Sequence, residues 1–584
     1  MSGILGLMDI AKRALAAEQL GVEVTSNNIS NVNTPGYSRQ IVTYETSTPI
    51  PSPWGPLGYG VTVQGINRAF DPYVAARLDA NTSQLAEQKS TKSALDQVAS
   101  LFNETDDSGM STLISNFWES WHALADNPSG AGERQSLLTN AQNLADAFSS
   151  RADQLVVQRN SITQQINPTL TEINNYTSEI AQLNLEITSA EVNGQQANDL
   201  RDQRNAAINS LSGLIGINYY TSGDGTISVS LSDGSSLVQT GNSWTLSSAL
   251  DPGTGKMVIN WDGPGGTSRD VTSNLSGGQL SAQIQLRDTL IPQYQSEIDD
   301  LAKDLIGAVN SQHSQGVGLD LFSDTTGSYA VKSTTDPLRP SPPLDPNSNL
   351  SFGSYLASGS FIIHVEDSSG ASTAYTVNFD PSTQSLNDLA GATGLIATAT
   401  GGRVVGTITA GKQLEISVPM GSTDTFGFSD DSTNVLMALG LNTFFKGDSA
   451  YTIGVSDAVS SNADLIAAGK IDTTTGAHPP GDNSNALALA DLANQTIGPN
   501  SQTIGDAYQQ IVTNIGLDAE KAGNQQTYFQ GLVDQFQQMK DSVSGVSLDD
   551  ELTNLIKYQR AYQAAAKMVT TADEMLQTLL TLKQ

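Results

Sequence analysis

The sequence predicts a multidomain α+β protein: a long, coiled-coil-like helical core contributed by both chain ends, a small β unit, and an inserted β-rich outer domain. Three observations carry this. Apolar stripes at helical spacing occupy the first and last stretches of the chain, and a heptad-like apolar seam runs from residue 155 to 187. Residues 323 to 475 are instead dominated by Ser, Thr, Gly and Pro, with short strand-like runs between turn residues. At 584 residues the chain exceeds what one hydrophobic core organises, so roughly three or four structural units are expected.

The first helix carries Ile4, Met8, Ala11, Leu15, Val22 and Ile29 at alternating four- and three-residue steps, with Glu18 and Thr25 as polar breaks. It runs into "NNISNVNTPGYSRQ" at 27 to 40. There the amides of Asn28, Asn31 and Asn33 can bond nearby backbone, Pro35 fixes φ, and Gly36 accepts positive φ between Thr34 and Tyr37. A specified turn is the consequence. "SRQIVTYET" and "GYGVTVQGINR" then read as strands, the second alternating Val61 and Val63 with Thr62 and Gln64.

From about 80 to 212 the pattern is helical. Its clearest seam is Leu155, Ile162, Ile166, Ile173, Tyr176, Ile180, Leu183 and Ile187, which predicts a long helix packed along its length against another. Pro168 lies inside it and is expected to kink or divide that helix. Residues 217 to 262 predict a small antiparallel β unit, in which Ile227, Val229 and Leu231 alternate with serines before an Asp-Gly turn at 233 and 234. A helical pattern returns at about 277 to 315, and "SFIIHV", "AYTVNF" and "QLEISV" mark strands of the outer region. From 484 the pattern is helical to the end, with breaks expected near Gly498, Gly516 and Gly545.

The last helix is the best specified. Ser547 can cap it with Asp550 at its third position, and its stripe runs through Leu548, Leu552, Leu555, Gln559, Tyr562, Ala566, Val569, Asp573, Leu576 and Leu580. Chain ends are ordinarily the least ordered parts of a domain, so stripes placed there point to surfaces completed by assembly. The expected assembly interface is therefore Ile4, Met8, Leu15, Val22, Ile29, Leu552, Leu555, Tyr562, Val569, Leu576 and Leu580. The expected domains are inner helices at 1–36 and 546–584, a long-helix and small-sheet domain at 37–322 and 484–545, and the outer insertion with its linker at 323–483.

Composition narrows function. With 28 basic and 60 acidic residues the formal charge is −32, which repels phosphate backbones and anionic headgroups, so neither nucleic acid nor membrane is an expected partner. Cysteine is absent, which removes disulfides, thiolate metal sites and cysteine nucleophiles. Asp9, Lys12 and Arg13 interrupt the first apolar stretch, so no cleavable signal peptide is expected. No run reaches the ~18 apolar residues that span a bilayer.

Motifs for chemistry fail on inspection. "DPGTGKM" at 251 to 257 lacks the first glycine of a phosphate loop, since Leu250 stands there, and Met257 follows Lys256 where Ser or Thr is needed. "GYGVTVQG" has Val63 where a dinucleotide fingerprint needs its third glycine. The run from Asp345 spaces polar groups like a calcium loop, but Leu350 and Leu356 occupy its glycine and glutamate positions. His122, His313, His364 and His478 have no ligand spacing, and Trp118 and Trp121 stand one helical step apart, as core residues do. No catalytic, cofactor or metal residue is assigned; the expectation is a non-enzyme.

With these residues in view, the chain resembles the flagellar rod, hook and hook-associated axial proteins. "NNISNVNTPGYSRQ" resembles their N-terminal signature, and "ELTNLIKYQRAYQAAAKMVTTADEMLQTLLTL" their C-terminal one. "FWESWHALADNPSGAGERQSLL", "IAQLNLEI", "NDLRDQRNAAINSLSGLIGI" and "SGGQLSAQIQLRDTLIPQYQSEIDDLAKDLIGAVNSQHSQG" are similar to internal blocks of the hook-associated members. The resemblance implies a layered structural subunit that assembles at the distal end of the hook and joins it to the filament. It further implies as partners a ring of like subunits, the hook protein, a second junction protein or flagellin, and an export chaperone at the C-terminal region. Export through the flagellar type III apparatus, without a cleaved signal, to the extracellular flagellum is implied as well. Two alternatives stay open: another axial subunit of hook or rod type, or an axial scaffold carrying an adhesin or enzyme in the insertion.

Overall fold

The structure, a computed structural model, describes residues 2–52, 55–104, 109–339, 347, 349–472, 475–498 and 501–581. Asp345, which opens the calcium-like run, lies outside the described residues. The chain divides into two compact units, one of residues 1–94, 161–288 and 519–584, the other of residues 95–160 and 289–518.

The elements that build the first unit begin with helix α1 (Ser2–Ser30), followed by the antiparallel pair β1 (Gln40–Thr46) and β2 (Val61–Arg68), whose register shifts between Thr43 and Tyr44. Next along the chain come helices α2 (Pro72–Leu101), α3 (Met110–Asp126), α4 (Ala131–Ala190) and α5 (Asn198–Leu214), of which α3 belongs to the second unit and α2 and α4 contribute residues to both. Pro168 does not divide α4, which runs unbroken over 60 residues. The proline removes one N–H from the helical ladder, but Ile166, Leu170 and Ile173 on either side are fully buried, and the Thr169 hydroxyl donates to the Gln165 carbonyl at 3.0 Å. Burial outweighs the lost bond.

That burial also corrects the seam's partner. Over residues 166 to 181 the seam packs against Ile208 and Leu211 of α5 and against Val229, Leu237 and Val238 of a small sheet, rather than against a second long helix. The sheet contains β3 (Asn218–Thr221), β4 (Ile227–Ser230) and β5 (Ser236–Gln239), and a neighbouring three-stranded sheet spans residues 245–270. Gly234 has φ +85° at the predicted turn, where the Asp233 carboxylate accepts the Ser235 N–H at 2.8 Å.

The helical pattern expected at about 277 to 315 forms α6 (Gly278–Gln285) and α7 (Ile291–His313), joined by a π turn at Leu286–Leu290. Pro292 explains the wide turn: it lacks an N–H, and the π turn lets the chain pass it without an unmet carbonyl in a tight ladder.

In the second unit α3 buries Phe117 and Trp121 against Phe444, and His313 of α7 closes the same cluster. Trp118 and Trp121 are thus both core residues. Asn310 accepts from the Phe444 and Phe445 N–H groups and donates to the Phe445 carbonyl. Arg134, 1% exposed, donates to the carbonyls of Pro128, Ala463 and Ile466. Residues 444 to 466 of the outer stretch are therefore built into a core shared with α3, α4 and α7. Antiparallel strands at Gly359–Glu366, Ser372–Phe379 and Thr425–Ser429 form one sheet of this unit, as their alternating sequence requires.

Helix α8 (Ser484–Asp491) precedes α9 (Ile504–Ser544) and α10 (Leu548–Thr581). Gly545 separates α9 from α10, whereas Gly516 does not interrupt α9. A lone glycine costs a helix only about 1 kcal/mol, and Ile511 and Ile515 are buried beside it.

Candidate assembly site at the paired chain ends

Helices α1 and α10 lie antiparallel in the first unit. Asn28 Nδ2 donates to Glu551 Oε2 at 3.1 Å, and seven residues earlier Gly21 faces the Tyr558 ring so closely that a Cβ there would sit 2.8 Å from it. At the next two steps of seven along α10, Ala565 and Ala572 are buried. The seam on α10 is therefore Glu551, Tyr558, Ala565 and Ala572, with Leu555, Val569 and Leu576 half-buried alongside.

This rotates the helix relative to the stripe expected from sequence. Of the expected interface residues, Ile4, Met8, Leu15, Val22, Ile29, Leu555, Val569 and Leu576 are half-buried, while Leu552, Tyr562 and Leu580 are 49%, 41% and 65% exposed. Gly21 leaves room for the Tyr558 ring, and Ala565 and Ala572 are buried, while Leu552, Tyr562 and Leu580 turn outward. Leu548, Ile556, Met575 and Leu579 are exposed with them. The other side of α1 meets the β1–β2 pair, where Ile10 touches Gly60 and the Tyr44 hydroxyl donates to the Ala17 carbonyl at 3.4 Å.

The signature turn is organised around Asn28, which is 1% exposed and uses its whole side-chain amide. Besides Glu551, its Nδ2 donates to the Gln40 carbonyl at 2.9 Å, and its Oδ1 accepts from the Gln40 N–H at 2.9 Å and the Tyr37 hydroxyl at 2.8 Å. Burial, then the carboxylates of Asp199, Asp202 and Glu551, push the Tyr37 hydroxyl pKa up, which keeps it a donor. Asn31 and Tyr37 are half-buried, Asn33, Thr34, Pro35 and Gly36 exposed. Gly36 has φ +80°, the Thr34 N–H donates to the Asn31 carbonyl, and the Thr34 hydroxyl donates to Asn31 Oδ1.

Residues after the turn are clamped by α5. Asp202 accepts from the Ser38 N–H at 2.8 Å, the Ser38 hydroxyl at 2.7 Å and Arg68 Nη1 at 2.8 Å, while Asp199 accepts from Gln40 Nε2 at 2.8 Å. The Arg39 N–H donates to the Ser544 carbonyl at 2.8 Å, which ties the start of β1 to the end of α9. The Asp550 N–H reaches Ser547 Oγ at 3.4 Å, the expected cap, and buried Glu551 sits in the same first turn, where the helix dipole favours its charge.

Glu551, Tyr558, Asp199, Asp202 and Arg68 were not foreseen as site residues. The only local signals were an acidic first turn in α10 and the acidic and basic residues of "NDLRDQRN" at 198 to 205. Chemically, the site sets register: a fully bonded buried amide tolerates one alignment of helix, turn and partner helix. Among the described residues no group of three or more His, Asp or Glu could hold a metal, and no helix is long and apolar enough to cross a membrane.

Residues 95–328 match the family described as flagellar hook-associated protein FlgK helical domain. Residues 8–37 match that of the flagella basal body rod protein, and 538–582 that of the flagellar basal body rod FlgEFG protein C-terminal. The chain is 26% identical to flagellar hook-associated protein 1 of Salmonella typhimurium, over 99% of this chain and all of that one. It is 25% identical to the same-named protein of Bacillus subtilis, over 99% and 98%. A shorter stretch, 17% of this chain and 12% of its relative, is 39% identical to flagellar hook protein FlgE of Helicobacter pylori. The fold is similar to that of the flagellar hook junction protein FlgK from Burkholderia pseudomallei, with a TM-score of 0.52 and 20% identity over 80% of this chain and 100% of that one. From end to end the chain is thus similar to proteins named flagellar hook-associated protein 1, with stretches similar to rod-type proteins at both termini.

Proposed function

We propose that the chain is a structural adaptor subunit that assembles at the distal end of the hook and forms the junction with the filament. The observation that carries this is the α1–α10 pair, which leaves Leu548, Leu552, Ile556, Met575, Leu579 and Leu580 in solvent along one helix. Apolar side chains at that density on a terminal helix fit burial by neighbouring subunits. The partners are like subunits in a ring, the hook protein, and a second junction protein or flagellin, with an export chaperone covering the C-terminal region beforehand. The hook-protein partner is supported by the stretch shared with FlgE.

The role is mechanical, without catalysis or cofactor. In this reading residues 1–36 and 546–584 form the inner layer, 37–322 and 484–545 the next, and 323–483 the outward part. The subunit reaches the extracellular flagellum through the flagellar type III apparatus, uncleaved. Deleting the gene and imaging cells by electron microscopy tests this: hooks without filaments, with filament protein in the medium, are expected. Normal filaments on the deletion strain would overturn it.

A further inference from the structure

The first unit contains a cationic cavity that the pairing of the chain ends does not explain. Its volume is about 250 Å³, and its lining includes Arg68, Arg201, Arg204 and Lys540 with Asp79 as the single carboxylate. In a chain of net charge −32, the local balance is reversed.

Two of the four cations are neutralised by the protein. Arg68 pairs with Asp202 at 2.8 Å, and Arg201 forks onto Glu191 through Nε and Nη2, each at 2.7 Å. Arg204 differs. It is 1% exposed, its Nη1 donates to neutral acceptors, Asn184 Oδ1 at 2.8 Å and the Gly225 carbonyl at 2.9 Å, and its Nε is buried without a partner. Burial and the adjacent guanidinium groups of Arg201 and Arg68 pull its pKa down to about 10, which leaves it charged at neutral pH. Lys540, half-buried on α9, makes no ion pair among the described residues. Asp79 accepts from Asn209 Nδ2 and the Tyr219 hydroxyl at 2.7 Å; burial pushes its pKa up, and these two bonds and the charge of Lys540 act against that rise.

The one carboxylate that acts on Arg204, Glu191, is already forked by Arg201; a buried charge whose own hydrogen bonds go only to neutral acceptors is costly, and guanidinium forks around a cavity match oxyanions. We propose that this cavity binds a small multivalent oxyanion, of phosphate or polycarboxylate chemistry, with Arg204 and Lys540 supplying the charge it satisfies. Because Arg68 also holds Asp202, which clamps Ser38, occupancy stabilises the anchor of the signature turn by mass action. The inference does not depend on where the subunit assembles.

The test is calorimetric titration of the full chain with inorganic phosphate and, separately, citrate, at ionic strength held constant with sodium chloride. Saturable binding of at least one is expected, with a raised melting temperature, and Lys540→Gln and Arg204→Met should each weaken it by about tenfold or more. Phosphate alone binding assigns a phosphate ligand; citrate alone assigns a polycarboxylate. Should Arg204→Met fail to fold, Lys540→Gln carries the test, since Lys540 is only half-buried. Absence of saturable binding, or undiminished binding by Lys540→Gln, overturns the proposal. Loss of assembly in Lys540→Gln with no anion bound by the native chain would assign these cations to a neighbouring subunit's carboxylate, and would overturn it too.

Discussion

At the chain ends, Gly21, Ala565 and Ala572 fill the seam while Leu552, Met575 and Leu580 stay in solvent; around Trp121 the reverse holds, with Phe117, Phe444 and Phe445 all closed off. The first arrangement gives two helices close approach but little apolar burial, so the pair is held by register devices such as Asn28 and Glu551. The second buries large aromatic faces and is self-sufficient. A seam that uses small residues keeps its large ones available to others, and a core that uses large ones keeps nothing back. The contrast separates a helix pair that leaves large apolar side chains in solvent from a core that encloses them.

The largest effect should come from the self-sufficient region. Trp121→Ala removes a fully buried ring that touches Phe117, Phe444 and His313, and should cost the second unit about 4 kcal/mol. Urea unfolding followed by far-ultraviolet circular dichroism measures it. A loss under about 1 kcal/mol would mean that this cluster is not the core described.

Next is a pH effect from the same cluster. His313 is fully buried, Nδ1 donating to the Asn442 carbonyl at 2.9 Å and Nε2 accepting from the Ala467 N–H at 3.0 Å, and burial pulls its pKa from 6.5 to about 4. The folded state holds the neutral ring, whereas the unfolded chain takes up a proton below pH 6.5. Stability is therefore complete above that pH and falls as pH drops towards 4, by a total on the order of 3 kcal/mol. His313→Gln should flatten the difference between pH 7 and about 4.5 relative to the native chain. Parallel pH profiles for the two proteins would refute the assignment.

Asn28→Ala should have a smaller cost, about 2 kcal/mol, because it strands Glu551, the Gln40 backbone and the Tyr37 hydroxyl together. Hydrogen exchange at the Gln40 amide should rise in the variant while exchange around Trp121 does not. Equal acceleration in both places would show that the turn is not a local device.

What the sequence made legible follows the same contrast. The two strands after the turn, the β unit at 217 to 262, the burial of Trp118 and Trp121 and the Ser547 cap all rest on local periodicity or local bonding, which a sequence displays directly. That Pro168 does not divide α4 was not legible because the cost of a proline is local, while the burial of Ile166 and Ile173 that outweighs it comes from residues far along the chain. Which α10 residues meet α1 within the subunit was not legible for a related reason: periodicity weights leucine above alanine, yet Ala565 and Ala572 are the ones buried. Asn28 and Glu551 stand 523 residues apart, and no spacing rule pairs them.

The smallest effect on stability should accompany the largest effect on assembly. Sequence placed Leu576 and Leu580 on one face, but Leu576 is half-buried beside the seam, so aspartate there would disturb the subunit itself. Leu552 and Leu580, 49% and 65% exposed, are the cleaner pair. Replacing both with aspartate buries no charge in the isolated chain, and its unfolding free energy should move by less than about 0.5 kcal/mol. In an assembly whose neighbours cover that face, each subunit would bring two carboxylates into an apolar contact, at a cost of several kcal/mol apiece, roughly. The expected phenotype is a soluble, exported subunit with an unchanged melting temperature, hooks without filaments, and filament protein in the medium. Export has to be followed separately, because a chaperone bound to the same helix would be displaced by the same charges. If the double variant builds normal junctions, the outward face of α10 is a solvated surface and the seam of small residues is the whole of its function. If it melts well below the native chain, that face is already covered within the subunit.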